Sequence, residues 1–192
     1  MRLLAFLLIC LSHSAFAQQN VFYLDEDKRY YLSEVEELPE MTLDQLFINA
    51  HAFMNSIQAE QAQYDAVPQS DTLKAIKTRG SFTVYNFGSL KKHIDGVVSY
   101  HLIIEMKAGK YRYKINEFYF TPYARNRYGK FVPLSGKVIS LETKPSKLNN
   151  KNWNYYKVQV LQKSHQLIQH LHESMLHQET TENGKDTNME KW

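Results

Sequence analysis

The chain has 192 residues, of which 22% are charged and 43% hydrophobic, and its formal net charge at pH 7 is +3. This length supports one compact core, and so small a net charge argues against a domain dedicated to nucleic acid. Cys10 is the only cysteine and lies in a predicted leader. Disulfides, a thiolate nucleophile and a cysteine-ligated zinc ion are therefore excluded from the mature chain.

The first 17 residues, MRLLAFLLICLSHSAFA, have the pattern of a cleaved secretory signal. Arg2 supplies the positive start, residues 3–11 form a short apolar run, and Ala15 and Ala17 are the small residues that a signal peptidase requires. The apolar run is shorter than the ~20 residues that span a bilayer. We therefore predict export, cleavage after Ala17, and a periplasmic or secreted mature protein without a transmembrane segment.

Charge is unevenly distributed along the chain. Residues 24–65 contain ten acidic and two basic side chains, whereas residues 107–151 contain eleven basic and two acidic ones. Two interpretations remain open. The segments neutralise one another across the fold, or the basic segment faces an anionic partner such as lipopolysaccharide, an acidic protein or nucleic acid.

The predicted elements begin with a leader strand or loose N-terminal arm over 18–27, followed by an alternating strand at KRYYLSEVEEL that Pro39 ends. A helix is predicted from about 43 to 60, because Thr42 and Gln45 match a capping box and apolar residues recur at helical spacing behind it. This apolar stripe predicts packing on the core and consists of Leu43, Leu46, Phe47, Ala50, Phe53, Met54 and Ile57.

Four strands are then predicted as a meander of hairpins, at TLKAIKTRG, SFTVYNFG, VVSYHLIIEMK and KYRYKINEFYF, with glycines between them. If Ala108-Gly109 is a two-residue turn, Met106 faces Tyr111 on one face of the sheet and Glu105 faces Arg112 on the other. This register predicts two unlike faces: Tyr111, Tyr113 and Ile115 point to the core, while Lys110, Arg112 and Lys114 point to water.

Residues 121–149 are the least regular part of the sequence, because three prolines interrupt them. Two short strands are predicted there, at GKFVPL and KVISLE. A long closing helix starts near Asn149–Asn152, and residues 178–192 form a polar, disordered tail. The closing helix has an apolar stripe made of Trp153, Tyr156, Val160, Leu161, Leu167, Ile168, Leu171 and Met175.

The element order β-α-β-β-β-β-α predicts a single α+β domain over 28–177, with an antiparallel sheet of about five strands. The stretches EVEELPEMTLDQLFINAHAFM, RGSFTVY and GVVSYHLIIEMKAGKYRYKINEFYF resemble an exported family from Bacteroidetes, a domain of unknown function with a TATA-binding-protein-like fold. The resemblance covers about residues 30–142 and implies a curved antiparallel sheet with two helices on one face. It transfers no catalytic or binding residues, so function has to be argued from a site.

Catalytic motifs are absent from the sequence, which has neither a Gly-x-Ser-x-Gly motif nor a phosphate-binding glycine loop. The clustered carboxylates of EVEELPE are interpreted as a solvated surface rather than a glycosidase pair. Four histidines, at 165, 170, 172 and 177, fall into pairs seven residues apart, ~10 Å along a helix axis, which is too far for one ion to bridge. We therefore expect no metal and no cofactor.

The segment TPYARNRYGKF is the candidate binding site. Exposed tyrosine and arginine are enriched where proteins meet partners, and this predicted loop offers both. Its candidate residues are Tyr123, Arg125, Arg127, Tyr128 and Lys130. The alternative is that Arg125 and Arg127 pair with the acidic first strand.

These features predict an exported, non-catalytic binding or accessory module of the cell envelope. Its partner would be an envelope protein or an anionic glycan or lipid surface, contacted through the open face of the sheet and the 121–131 loop. One alternative is a small hydrolase or ligand-binding protein, which a pocket holding His93 or His101 beside a carboxylate would favour. A second alternative binds anionic surfaces or nucleic acid through residues 107–151, although export removes most nucleic acid from reach.

Overall fold

The computed structural model describes residues 21–57, 72–86, 92–143 and 150–177 of the chain. The predicted leader and the predicted tail at 178–192 lie outside these residues. The elements in chain order are β1 (Tyr23–Leu24), β2 (Tyr30–Glu37), α1 (Leu43–Ser56), β3 (Lys74–Tyr85), β4 (Ile94–Lys107), β5 (Lys110–Arg125), β6 (Phe131–Pro133), β7 (Ile139–Ser140) and α2 (Asn150–Met175).

The strands form one antiparallel sheet of order β1-β2-β5-β4-β3, and β6 and β7 pair with the second half of β5. The long strands β4 and β5 lie at its centre. Both helices pack against the same apolar face and share one core with it. The predicted α+β class, with an antiparallel sheet and two helices on one face, is confirmed.

The hairpin between β4 and β5 has the predicted register. Met106 pairs with Tyr111 and Glu105 with Arg112 across the turn at Ala108-Gly109. Tyr111 is buried against the helices, while Arg112 is exposed and forms an ion pair with Glu105. The alternation of tyrosine and basic residues in KYRYK is therefore that of a strand with one dry and one wet face.

Two of the predicted strands, TLKAIKTRG and SFTVYNFG, are a single strand in the structure, β3. The prediction of a break at Gly80 is wrong, because β3 continues through it and pairs it with Tyr100 of β4. A Cβ atom at Gly80 would lie 2.4 Å from the Tyr100 hydroxyl oxygen. This glycine therefore makes room for a ring from the neighbouring strand instead of reversing the chain.

Side-chain hydrogen bonds cap the start of α1 and connect α1 to the end of α2. Thr42 and Gln45 form the predicted capping box at the start of α1. Where α1 meets the end of α2, Asn49 Nδ2 donates to the carbonyl oxygens of Met175 and His177 at 3.0 and 2.7 Å. Asn49 thus satisfies carbonyl groups that the end of α2 leaves without a helical partner.

β5 contains a bulge at Glu117 that reverses the alternation of its side chains. Pairing passes from Asn116 opposite His101 to Tyr119 opposite Ser99, so two residues of β5 face one residue of β4. Glu117 has a φ of 57°, in the left-handed region. Before the bulge the odd-numbered side chains are buried, and after it Phe118 and Phe120 are buried instead.

His101 and Arg79 surround the bulge on the sheet face opposite the helices. His101 Nδ1 lies 2.8 Å from Glu117 Oε2, a close contact that is not aligned as a hydrogen bond, and His101 Nε2 accepts from Arg79 Nε at 3.0 Å. Burial lowers the pKa of His101, and Glu117 opposes that effect only in part. The imidazole is therefore neutral near pH 7, with its proton on Nδ1.

Two substitutions at Glu117 separate backbone strain from side-chain contact. Glu117→Val places a β-branched residue at positive φ, so we expect a loss of about 1–3 kcal/mol in the free energy of unfolding. Glu117→Gly suits the same backbone and loses only a partly exposed contact, so we expect a change within about 1 kcal/mol. Urea denaturation measures both, and equal losses would contradict a backbone origin.

Candidate functional site

A cleft of about 420 Å³ opens where the second half of β5 meets the start of α2. Its volume lies within the ~300–1,000 Å³ range that is usual for small-molecule sites. The side chains that line it come from β4, β5, the segment 134–143 and α2, and they are Asp95, Phe120, Pro122, Tyr123, Leu134, Lys137, Ile139, Thr143, Asn152, Trp153 and Tyr156.

Three aromatic rings form the floor of the cleft. Phe120 stacks on Tyr156 with 5.0 Å between ring centroids, and it meets Trp153 edge-on at 5.5 Å. The bulge at Glu117 directs Phe120 toward the helices, and the three-residue spacing of Trp153 and Tyr156 places both on one side of α2. All three rings are nearly buried, so the floor is tightly packed.

The polar groups of these rings are bound within the protein. Trp153 Nε1 donates to the carbonyl oxygen of Leu141 at 3.2 Å, and the Tyr156 hydroxyl donates to Asp95 Oδ2 at 2.6 Å. Buried tyrosine and tryptophan normally need such partners. The floor therefore offers mainly apolar surface to the cleft, and hydrogen bonding is left to its rim.

Asp95 connects the cleft to the neighbouring hairpin. Its Oδ1 lies 3.0 Å from His93 Nε2, and the His93 ring stacks on Phe131 of β6 at 4.9 Å. Each carboxylate oxygen of Asp95 therefore already has one protein partner. Of the two histidines named in the alternative function, His93 lies beside a carboxylate of this cleft, whereas His101 and Glu117 do not line it.

Gln159 fixes α2 against the end of β3. Its side-chain amide accepts from the Tyr85 N–H at 3.1 Å and donates to the Tyr85 carbonyl at 3.0 Å, as a neighbouring strand would. The predicted apolar stripe of α2 omits this residue. Its position, three residues after Tyr156 and within that stripe, is the signal that marks it as buried.

Of the five predicted site residues, only Tyr123 lines the cleft. Arg125 ends β5 and donates through Nε to the Gly129 carbonyl at 3.2 Å, while Lys130 is exposed in the turn that follows. The Arg127 guanidinium lies 4.8 Å from the centroid of the Tyr128 ring. These four residues form a separate, exposed group beside the cleft.

The alternative pairing of Arg125 and Arg127 with the acidic first strand is not observed among the described residues. On that strand, Glu34 accepts from the Tyr113 hydroxyl at 3.2 Å and Glu37 pairs with Lys110 at 3.5 Å. Sequence reasoning also missed Asp95, Phe120 and the start of α2 as parts of a site.

Two other hollows have less suitable walls. One of about 300 Å³ lies on the open face around Glu105 and Arg112, which already pair with each other. A larger one of about 480 Å³ is shallow and is formed by the turns at 39–43 and 108–110. The aromatic cleft is the one of the three that combines a packed apolar floor with several polar side chains.

The histidines of α2 have separate surroundings. His170 contacts the Phe53 ring edge-on and lies 3.3 Å from Ser56 Oγ, while His172 Nδ1 lies 3.2 Å from the Tyr111 hydroxyl. Within the described ranges, no three His, Cys, Asp or Glu side chains converge as a metal site would require.

The part of the chain that the structure describes contains no helix that is long and apolar enough to cross a membrane.

The observed architecture defines an α+β domain of the TBP-like class. Residues 32–121 match the family described as a domain of unknown function (DUF4468) with TBP-like fold. This match confirms the predicted resemblance to the family over residues 32–121. Of the residues that line the cleft, only Asp95 and Phe120 lie within this matched stretch.

Two solved structures share the fold. A DUF4468 family protein from Bacteroides ovatus is 12% identical, has a TM-score of 0.56, and aligns over 85% of this chain and 94% of its own. A TBP-like protein from Parabacteroides distasonis is 10% identical, has a TM-score of 0.51, and aligns over 77% of this chain and 92% of its own. Comparison with curated proteins gives no match. At these identities the likeness shows the fold alone.

The buried tyrosines make stability sensitive to alkaline pH. Burial raises the pKa of Tyr100 to about 12 and also raises the pKa of Tyr156, where Asp95 adds to the effect. The native state then keeps protons that the unfolded chain loses near pH 10.0. This stabilisation is complete below pH 10 and is lost as pH rises above it.

Urea denaturation between pH 8 and pH 11.5 measures this dependence. We expect the free energy of unfolding to fall above pH 10, and to fall less steeply in Tyr156→Phe, which lacks one of the titrating hydroxyls. A free energy that is constant up to pH 11.5 would contradict the prediction.

Proposed function

We propose that this chain is an exported, non-catalytic binding module of the cell envelope and that it holds its ligand in the aromatic cleft. The observation that carries the proposal is the composition of the cleft, which combines a packed aromatic floor with polar groups at Asp95, Lys137 and Asn152. Sites for small organic ligands typically combine such apolar surface with a few polar groups that fix orientation.

The chemistry of the walls favours a ring with one apolar face and hydrogen-bonding groups at its edge, such as a sugar. The aromatic floor suits the apolar face. Asp95 accepts hydrogen bonds, Lys137 donates them, and the Asn152 amide does both. Each oxygen of Asp95 has one protein partner and retains capacity for a second.

Binding is favoured over hydrolysis because Asp95 already has protein partners and Tyr156 is protonated near pH 7. Within the described part of the chain, Asp95 is the one carboxylate that lines the cleft, and Tyr156 and His93 already contact its two oxygens. The raised pKa of Tyr156 keeps its hydroxyl protonated near pH 7, so it does not act as a base there. Among the described residues that line the cleft, Thr143 carries the one aliphatic hydroxyl.

The proposal of export is supported by the sequence. Residues 1–17 have the charge, apolar run and small residues of a cleaved signal, and Cys10 within them is the only cysteine. N-terminal sequencing of the protein recovered from the envelope fraction of the native host tests this step, and Gln18 is the expected first residue.

Ligand-observed NMR tests the cleft, with a panel of monosaccharides, N-acetylated amino sugars and aromatic acids and the chain that begins at Gln18. We expect a sugar to bind the wild type and to lose binding at least tenfold in Asn152→Trp, which fills the cleft. Asn154→Trp is the matched control, because Asn154 is exposed and does not line the cleft.

Equal binding by these two variants would place the ligand elsewhere. A panel that gives no binder at millimolar concentration would refute a sugar-sized ligand.

A further inference from the structure

Exposed apolar side chains concentrate in residues 121–141, which comprise the end of β5, β6, β7 and their turns and which we call the arm. Twelve large hydrophobic residues are exposed in the described part of the chain, and five of them belong to the arm: Tyr128, Phe131, Val132, Leu134 and Val138. Single exposed hydrophobic residues are normal, but five within so short a segment make it a candidate contact surface.

The arm is also basic throughout. It contains Arg125, Arg127, Lys130 and Lys137, and it has no aspartate or glutamate. Within the described residues, none of these four side chains forms a salt bridge. Their positive charge is therefore available to an anionic partner.

Side-chain hydrogen bonds order the backbone at the tip of the arm. Asn126 Oδ1 accepts from the backbone N–H groups of Tyr128 and Lys130, both at 3.0 Å. Gly129 completes the turn with a φ of 76°, and Arg127 lies over the Tyr128 ring. Tyr128 is 71% exposed at this ordered tip, so docking it requires little additional ordering of the backbone.

We propose that the arm docks the protein onto an anionic lipid surface. Tyr128 enters the headgroup layer, where amphipathic aromatic rings are favoured, and the four basic side chains approach the acidic headgroups. An acidic lipid surface is favoured because the arm combines the highly exposed Tyr128 and Val138 with basic side chains and has no acidic one. Lys137 also lines the cleft, so the docking depends chiefly on Tyr128, Arg125, Arg127 and Lys130, which do not.

Sedimentation with lipid vesicles tests the proposal, using the chain that begins at Gln18 because residues 3–11 would themselves enter a bilayer. We expect binding to vesicles of phosphatidylglycerol and phosphatidylcholine in equal parts, and none to phosphatidylcholine alone. Binding should disappear near 1 M salt, where the Debye length is about 3 Å.

Variants then assign the binding to the arm. A triple variant, Arg125→Gln/Arg127→Gln/Lys130→Gln, should bind on the order of 100-fold more weakly, since each basic residue near an anionic surface contributes about fivefold. Its matched control removes the same charge from the open face of the sheet, as Lys77→Gln/Lys107→Gln/Lys114→Gln, and should retain most of the binding.

A second pair of variants tests the contribution of apolar side chains to vesicle binding. Tyr128→Ser should weaken vesicle binding several-fold. Ile48→Ser, which removes an exposed apolar side chain from α1, should leave it unchanged.

Three results would overturn the proposal: no binding to the acidic vesicles, equal binding to phosphatidylcholine, or an equal loss in the control triple variant. Asn152→Trp should leave vesicle binding unchanged, so this proposal and that of the cleft can fail separately.

Discussion

The bulge at Glu117 is the constraint on which the site depends. It changes which side chains of β5 face the helices, from Tyr111, Tyr113 and Ile115 to Phe118 and Phe120. Without this change Phe120 would point to water, and Trp153 and Tyr156 would lose the ring against which they pack. Gly96 on β4 leaves room for Phe120 in this position. A Cβ atom there would lie 2.4 Å from the Thr121 carbonyl oxygen and 2.5 Å from Phe120 Cε2.

The features that could be predicted from sequence have local causes. The cap at Thr42 and the register about Ala108-Gly109 each depend on residues a few positions apart. The bulge was not predictable in this way, because glutamate gives no signal for positive φ. The cleft joins Asp95, Phe120 and Trp153, which only the topology of the sheet and α2 brings together.

The two proposed contact surfaces lie at the same end of the sheet and are connected through four side chains. Tyr156 contacts Asp95, Asp95 contacts His93, and His93 stacks on Phe131 of β6. The opposite face carries pairs such as Arg112 with Glu105 and Arg79 with His101. A TBP-like fold does not by itself imply nucleic-acid binding, since function resides in sites rather than in folds.

The contact between Gln159 and Tyr85 has a consequence for association between molecules. β3 is the last of the described strands in the sheet order, and the outer backbone groups of an edge strand are a template on which a strand from another molecule can add. At Tyr85 the Gln159 amide occupies both the N–H and the carbonyl. At this end of the strand, a helix side chain therefore occupies the backbone groups that an added strand would need.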